Sequence, residues 1–216
     1  MAGRRRAPRR ASGMPVVTLS LMVATLLLVP APASAAPPSV KKPPPPLTAL
    51  WWQTFLGSSD PNSFDRCDLG TGDVVFLAGT TGGSATRSCT IPAGTSLLVP
   101  LINGECSEIE GNGETPAELR QCADDQADLF GGLSLVIDGV AVSDLTRLRV
   151  HSQVFQFTAV EGNVFDIGPG PSRSVADGYW ALISPLAPGA HTISFGGTFD
   201  DGVFTTHATY NITVAA

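Results

Sequence analysis

The sequence predicts an all-β fold: a two-layer β-sandwich or jelly roll with one α-helix at about residues 116–130. Short apolar segments recur between turns rich in glycine and proline, a pattern typical of strands in two facing sheets. The segment from Thr95 to Ile102 is apolar at almost every position, which indicates a strand covered on both faces. A single segment combines helical spacing with strong helix-capping residues.

The first 35 residues have the form of a signal peptide. Five arginines precede an apolar run from Val16 to Val29, and Ala33-Ser34-Ala35 matches a small-x-small cleavage site. The apolar run has 14 residues. A bilayer span needs about 20, so an uncleaved anchor is the less favoured alternative. We therefore expect a secreted, extracellular protein with no stable membrane span after cleavage.

Residues 36–47 are proline-rich and predict a disordered spacer, followed by one β-sandwich domain over residues 48–216. Once the five leader arginines are removed, 8 basic residues stand against 19 acidic ones, a net formal charge of −11. Such a charge repels nucleic acid and other anionic polymers. Nucleic acid is therefore excluded as an expected partner, while cations, basic proteins and neutral ligands are not.

The four cysteines predict two disulfide bonds, because an even number of cysteines in an exported chain is usually paired. Three pairings of Cys67, Cys89, Cys106 and Cys122 are conceivable. We expect Cys67–Cys89 and Cys106–Cys122, since each closes a short loop worth about 3 kcal/mol. A zinc site is the weaker alternative, because the sequence lacks the CxxC pairs typical of one.

The elements before the helix can be placed from turn residues. Residues 48–56 form either a short helix or an edge strand. The strands at Asp73–Ala78 and Ala85–Ile91 flank a TTGGS turn, which predicts a hairpin. Pro92-Ala93-Gly94 then turns the chain into the central strand, where Pro100 predicts an edge position or a bulge.

The helix is predicted from its N-terminus, where Thr115, Pro116 and Glu118 form a capping box with proline in the first turn. It should end at Gly131-Gly132. Asp138-Gly139 predicts a two-residue hairpin soon afterwards. The remaining strands are expected at Leu148–Ala159, Tyr179–Ile183, His191–Phe195 and Phe204–Val214.

Four segments carry a resemblance to other proteins: WWQ near the domain start, RSCTIPAGTSLLVPLINGEC, DGYWALISPLAPGAHTISFGGTF and TYNITV. Together they resemble a group of secreted bacterial proteins of unassigned function, over most of residues 50–214. The resemblance implies an exported, bacterial, all-β domain. It implies no activity for any residue.

Catalytic motifs are scarce. The sequence has no G-x-S-x-G motif, and its three histidines are isolated from one another. No cofactor is expected, although the Asp60–Asp68 loop has the oxygens for a calcium site, which remains an open alternative. A glycosidase would need a pair of carboxylates, and the acidic loop supplies five candidates: Glu105, Glu108, Glu110, Glu114 and Glu118.

Four residues are candidate ligand-binding residues. Trp51 and Trp52 offer flat indole faces for sugars, although adjacent residues on a strand point in opposite directions. Arg149 and His151 share a strand face with Arg147, which predicts a cationic stripe for an anionic group. The favoured function is a non-catalytic module that binds carbohydrate or a cell-envelope component. The alternatives are a carbohydrate-acting hydrolase that uses the acidic loop, and a purely structural or interaction module.

Overall fold

The computed structural model describes Gly3 and residues 37–216. In the latter range two β-sheets pack face to face and carry two α-helices, which confirms the predicted all-β sandwich-like fold. The predicted signal peptide, apart from Gly3, lies outside the described residues.

The larger sheet, sheet A, has seven strands in the order β1-β10-β5-β3-β2, with β8 and β9 also paired to β10. The smaller sheet, sheet B, has five strands in the order β4-β12-β11-β6-β7. The strands of sheet A are β1 (Val40–Lys41), β2 (Gly70–Thr71), β3 (Val74–Phe76), β5 (Ser96–Ser107), β8 (Arg149–His151), β9 (Phe155–Ala159) and β10 (Gly170–Ile183). Those of sheet B are β4 (Gly83–Ile91), β6 (Phe130–Ile137), β7 (Val140–Ala141), β11 (Gly189–Phe199) and β12 (Phe204–Val214).

The predicted hairpin between residues 73–78 and 85–91 is wrong, because the two strands lie in different sheets. β3 pairs in parallel with β5 of sheet A, and β4 pairs in parallel with β12 of sheet B. Gly82 and Gly83 have positive φ angles of 127° and 76° and redirect the chain between the sheets. A turn signal therefore marked the change of direction without identifying the partner strand.

The main core lies between the two sheets. Leu97, Val99 and Leu101 of β5 face Phe195 and Tyr210 of sheet B, and all five side chains are fully buried. Pro100 sits where the pairing of β5 with β10 shifts register, opposite Trp180. β5 is central, between β10 and β3, so the proline is accommodated by a bulge, one of the two predicted outcomes.

The first helix, α1 (Pro45–Leu56), begins inside the segment predicted to be a disordered spacer. Proline is tolerated in the first helical turn, where the backbone N–H has no helical partner. Upstream of the helix, Val40 pairs with Ile183 and Lys41 with Leu182 of β10. Residues 40–41 and 45–47 are therefore ordered elements of the fold, and the prediction of a spacer over 36–47 is corrected for them.

The second helix, α2 (Pro116–Ala127), has the predicted capping box. Thr115 Oγ1 accepts a hydrogen bond from the N–H of Glu118, whose side chain accepts one from the N–H of Thr115. The helix ends three residues earlier than predicted, because Phe130 already pairs with Phe199 in sheet B.

Both predicted disulfide pairings are present. Cys67–Cys89 joins the loop before β2 to β4, with its Cα atoms 5.9 Å apart. Cys106–Cys122 joins β5 to α2, with its Cα atoms 6.1 Å apart. Two disulfides indicate that the chain folds in an oxidising compartment rather than in the cytoplasm.

Tyr210 links sheet B to the loops that lead to sheet A. Its buried hydroxyl accepts hydrogen bonds from the N–H of Ala78 at 3.0 Å and from Arg87 Nη1 at 3.3 Å. The carbonyl oxygens of Phe64 and Ala78 lie within 3.1 Å as acceptors. One phenol therefore satisfies backbone groups from two separate segments.

We expect Tyr210→Phe to lower the free energy of unfolding by about 1–3 kcal/mol, because it leaves the buried N–H of Ala78 without this acceptor. Urea denaturation at neutral pH measures the change. Tyr179→Phe is the matched control, since no hydrogen bond from its hydroxyl is present in the described part of the chain. Equal effects of the two substitutions would contradict the role of Tyr210.

Candidate functional site

The two tryptophans predicted to form a binding platform are buried in α1. Trp51 is 3% exposed and Trp52 is 6% exposed. Trp51 donates its Nε1–H to the carbonyl of Leu77 at 2.8 Å, and its ring lies 5.4 Å from that of Trp180. The indoles cover the outer face of sheet A, so an exposed aromatic platform at these positions is wrong.

A small cavity of about 60 Å³ lies beside both indoles. It is also lined by Phe165 and Asn103. Trp52 Nε1 and Asn103 Oδ1 are buried and have no hydrogen-bond partner among the described residues. The volume fits about two water molecules and is too small for a sugar ring. Water is the simplest occupant that would satisfy both polar atoms.

Arg149 and His151 do lie together, but they face carboxylates. Arg149 binds the fully buried Asp177 at 2.7 Å and Asp128 at 2.6 Å. His151 Nδ1 lies 3.0 Å from Asp124 and 3.1 Å from Asp177. Three carboxylates thus surround one guanidinium and one imidazole. The predicted anion-binding stripe is corrected, because an anion would be repelled here.

The same cluster contains three candidate metal ligands. Oxygens of Asp124 and Asp177 and a ring nitrogen of His151 lie within 4.8 Å of one another. However, Asp177 Oδ2 already accepts hydrogen bonds from Nε and Nη2 of Arg149. Burial raises the pKa of Asp177, and Arg149 opposes that shift. A metal ion would have to displace the guanidinium, so we assign the cluster the structural role of joining α2 to sheet A.

The loop considered for calcium is held by arginines. Arg66 binds both Asp60 and Asp68, at 3.4 Å and 2.7 Å. Asp65 binds Arg87 at 2.7 Å. Guanidinium groups therefore occupy the oxygens that a calcium ion would need.

One pair of carboxyl groups in the acidic loop is unusual. Glu105 is 8% exposed, and burial, followed by the nearby Glu110, raises its pKa to about 9. Ser174 donates a hydrogen bond to Glu105 Oε2, whereas no donor faces Oε1. With Glu105 protonated, no uncompensated negative charge is buried at this position. Glu105 is almost fully buried against Ser174 of β10, whereas the carboxyl groups of a glycosidase must flank the bound substrate, so this residue does not favour the hydrolase.

An open groove of about 550 Å³ lies between α1, β9 and β10, a size typical of ligand sites. The exposed Gln156 and Thr158 of β9 lie opposite Arg173 and Pro171 of β10. Gln53 of α1 donates its side-chain N–H to the carbonyl of Gln156 at 2.7 Å. None of these residues was predicted as a site. The sequence marks Gln156 and Thr158 only by the alternation of polar and apolar residues in FQFTA. Any strand with one exposed face shows this alternation, so it does not indicate a binding site.

An ion pair closes one end of this groove. Glu108 accepts hydrogen bonds from Arg173 Nε at 2.9 Å and from the Arg173 backbone N–H at 3.2 Å. Arg173 lowers the pKa of Glu108, and Glu108 raises that of Arg173. Both groups therefore stay charged and cancel each other. The groove as a whole is polar, fixed in geometry and close to neutral.

We expect the wild-type protein to lose stability as the pH rises from about 4.5 to about 9, because Glu105 stays protonated in the folded chain and ionises near 4.5 when unfolded. The unfolded state then binds fewer protons, and the free energy of unfolding falls by up to about 1.4 kcal/mol per pH unit. Urea denaturation across this range measures the slope.

Glu105→Gln should flatten the slope, since an amide does not titrate and its oxygen can still accept the hydrogen bond from Ser174. Glu114→Gln, an exposed position in the same loop, is the control and should keep the wild-type slope. A Glu105→Gln protein with an unchanged slope would contradict the assignment.

No family model and no curated protein matches this chain. A solved chain described as "Structure of PbICP-C in complex with falcipain-2" covers 66% of this chain and 99% of its own length, at 14% identity and a TM-score of 0.27. That likeness is too low to support an inference. No helix in the described part of the chain is long and apolar enough to cross a membrane.

Proposed function

We propose that this chain is a secreted, non-catalytic binding module whose groove between α1, β9 and β10 takes a neutral carbohydrate. The observation that carries the proposal is the groove itself, which combines a ligand-sized volume with fixed polar groups and no net charge. Export is supported by the leader-like first 35 residues together with the two disulfides.

The groups in the groove suit sugar hydroxyls. Gln53 and Gln156 carry amides with both donors and an acceptor, and Thr158 adds a hydroxyl. The paired Arg173 and Glu108 add planar, charged hydrogen-bonding groups without a net charge. Neighbouring hydroxyls on a sugar ring present alternating donors and acceptors. Such a ligand can therefore satisfy these groups without bringing a charge of its own.

The groove also has the rigidity that binding needs. Gln156 and Thr158 stand on a strand paired to β10, and the Arg173 side chain is held by Glu108 and by the carbonyl of Glu114 at 3.0 Å. Groups held in place before binding lose little entropy when the ligand arrives.

The test is a glycan array followed by titration calorimetry with the best soluble oligosaccharide. We expect Gln156→Ala to weaken binding by about tenfold, through loss of its hydrogen bonds to the ligand, and Thr158→Arg to abolish it by filling the groove. Gln153→Ala changes an exposed glutamine of the same segment outside the groove and is the control. Binding that survives Thr158→Arg, or a wild-type protein that binds no glycan, would contradict the proposal.

A further inference from the structure

The outer face of sheet B has a repetitive chemical character. Along β4, β11 and β12 every second residue points away from the core, and most of these residues carry a hydroxyl group. The hydroxyl-bearing positions, called here the hydroxyl face, are Ser84, Thr86, Ser88, Thr90, Thr192, Ser194, Thr198, Thr205, Thr209 and Thr213.

The strand register arranges these side chains in rows. Thr86 of β4 lies beside Thr209 of β12, which lies beside Ser194 of β11. Thr90 is likewise beside Thr213. Strand spacing places hydroxyls about 4.8 Å apart within a row and about 6.7 Å apart between rows. The hydroxyl groups are therefore regularly spaced in two dimensions across the face.

The strands of the hydroxyl face present no charged side chain outward, and the one carboxylate at its edge, Asp138, is paired with His191 at 2.7 Å. β11 and β12 contain no lysine, arginine, aspartate or glutamate. The one charged residue of β4, Arg87, turns inward over the ring of Tyr210, and its side chain is 8% exposed. His207 is the one titratable side chain among the outward positions of these three strands. Residues 36–216 as a whole have a net formal charge of −11, so the neutrality of this face is local.

Many of these hydroxyls are available for a ligand. Ser194 Oγ lies 3.1 Å from Thr209 Oγ1 and 3.0 Å from His207 Nε2. In the described part of the chain, no side-chain hydrogen bond engages the hydroxyls of Thr86 or Thr213. Threonine on a strand has a restricted χ1 angle, so these hydroxyls are held in place before any contact forms.

The chemistry of the face limits what can cover it. A charged polymer or an anionic membrane finds no unpaired opposite charge on these strands, since Asp138 at the edge is paired with His191, and an apolar surface would meet hydroxyl groups. A second protein is disfavoured by size: three strands about 4.8 Å apart and about 27 Å long offer a few hundred Å², against the about 800 Å² per partner of a typical stable interface. What remains is a partner that is itself neutral, rich in hydroxyls and regularly spaced.

We infer that the hydroxyl face docks onto the surface of an insoluble neutral polysaccharide. Each hydroxyl–hydroxyl contact contributes only about 1 kcal/mol or less. Many such contacts add up on an ordered solid, where one rigid surface meets another at little entropic cost. A short soluble oligosaccharide would engage too few of them. This site is separate from the groove of the proposed function and stands without it.

The test measures depletion of the full chain from solution by microcrystalline cellulose, chitin and insoluble β-1,3-glucan. The variant Thr86→Lys/Thr213→Lys places long, hydrated side chains on two rows of the hydroxyl face, at positions that point away from the core. We expect its partition onto at least one of these solids to fall by about tenfold or more, because the two lysine side chains hold the solid away from several hydroxyls at once. Thr86→Val/Thr213→Val keeps the shape, removes two hydroxyls and should give a smaller decrease.

Two control variants distinguish the hydroxyl face from the groove and from a general effect of added positive charge. Thr146→Lys changes an exposed threonine outside sheet B and should bind like wild type. Thr158→Arg fills the groove and should keep binding the solid, which separates failure of the groove from failure of the hydroxyl face. Near-ultraviolet circular dichroism and melting temperature verify that each variant is folded.

The inference is overturned if wild type binds none of the solids, or if both double variants bind as wild type does. It is also overturned if sedimentation shows a dimer that Thr86→Lys/Thr213→Lys dissociates, since the face would then join two copies. Inhibition of ice growth by wild type, lost in that variant, without polysaccharide binding would assign the face to ice instead.

Discussion

The need to cover both faces of sheet A organises the molecule. β5 and β10 carry large apolar side chains on both sides: Leu97 and Val99 on one face of the sheet, Leu98 and Trp180 on the other. Sheet B and α2 cover the first face, where Ile102 contacts Gly197 and Cys106 packs against Leu119. α1 covers the other with Trp51, Trp52 and Phe55. Burial of a side chain of this size is worth about 1.5–3 kcal/mol.

Sheet B meets the opposite condition, because only one of its faces is covered. Its inner residues, such as Phe195 and Tyr210, are fully buried, while the outer positions of β4 and β12 are exposed. Apart from the parallel pair of β4 and β12, sheet B is antiparallel, and antiparallel sheets tolerate water on one face. Covering both faces of sheet A therefore fixes the fold and leaves the outer face of sheet B available for other roles. The groove arises from the same constraint, where α1 meets the edge strand β9.

Much of the fold could be predicted from local signals. The capping residues Thr115 and Glu118 start α2, Asp138-Gly139 makes the hairpin, and short loop lengths identified both disulfides. Each of these depends on residues close together in sequence. The pairing of β3 and β4 was missed because their partners, β5 and β12, are chosen by packing at a distance.

The candidate sites were harder to predict for a related reason. Whether a tryptophan is exposed depends on whether another element packs against it. The sequence around Trp51 does not predict that α1 packs on sheet A. The charge on Arg149 is cancelled by Asp177, 28 residues away in the chain. The contact of Glu105 with Ser174 likewise requires β5 and β10 to meet. In each case the sequence gives the type of the residue. It does not give the neighbouring residues, which determine whether the side chain is exposed and whether its charge is neutralised.

The position of β12 has a consequence for how the molecule is made. This strand covers residues 204–214, yet it sits inside sheet B, between β4 and β11. Until that stretch has been synthesised, β4 has no strand neighbour and the inter-sheet core lacks Tyr210 and Ile212. A chain that stops short of residue 204 therefore cannot complete the inter-sheet core, so the two sheets pack fully only after this strand has been made.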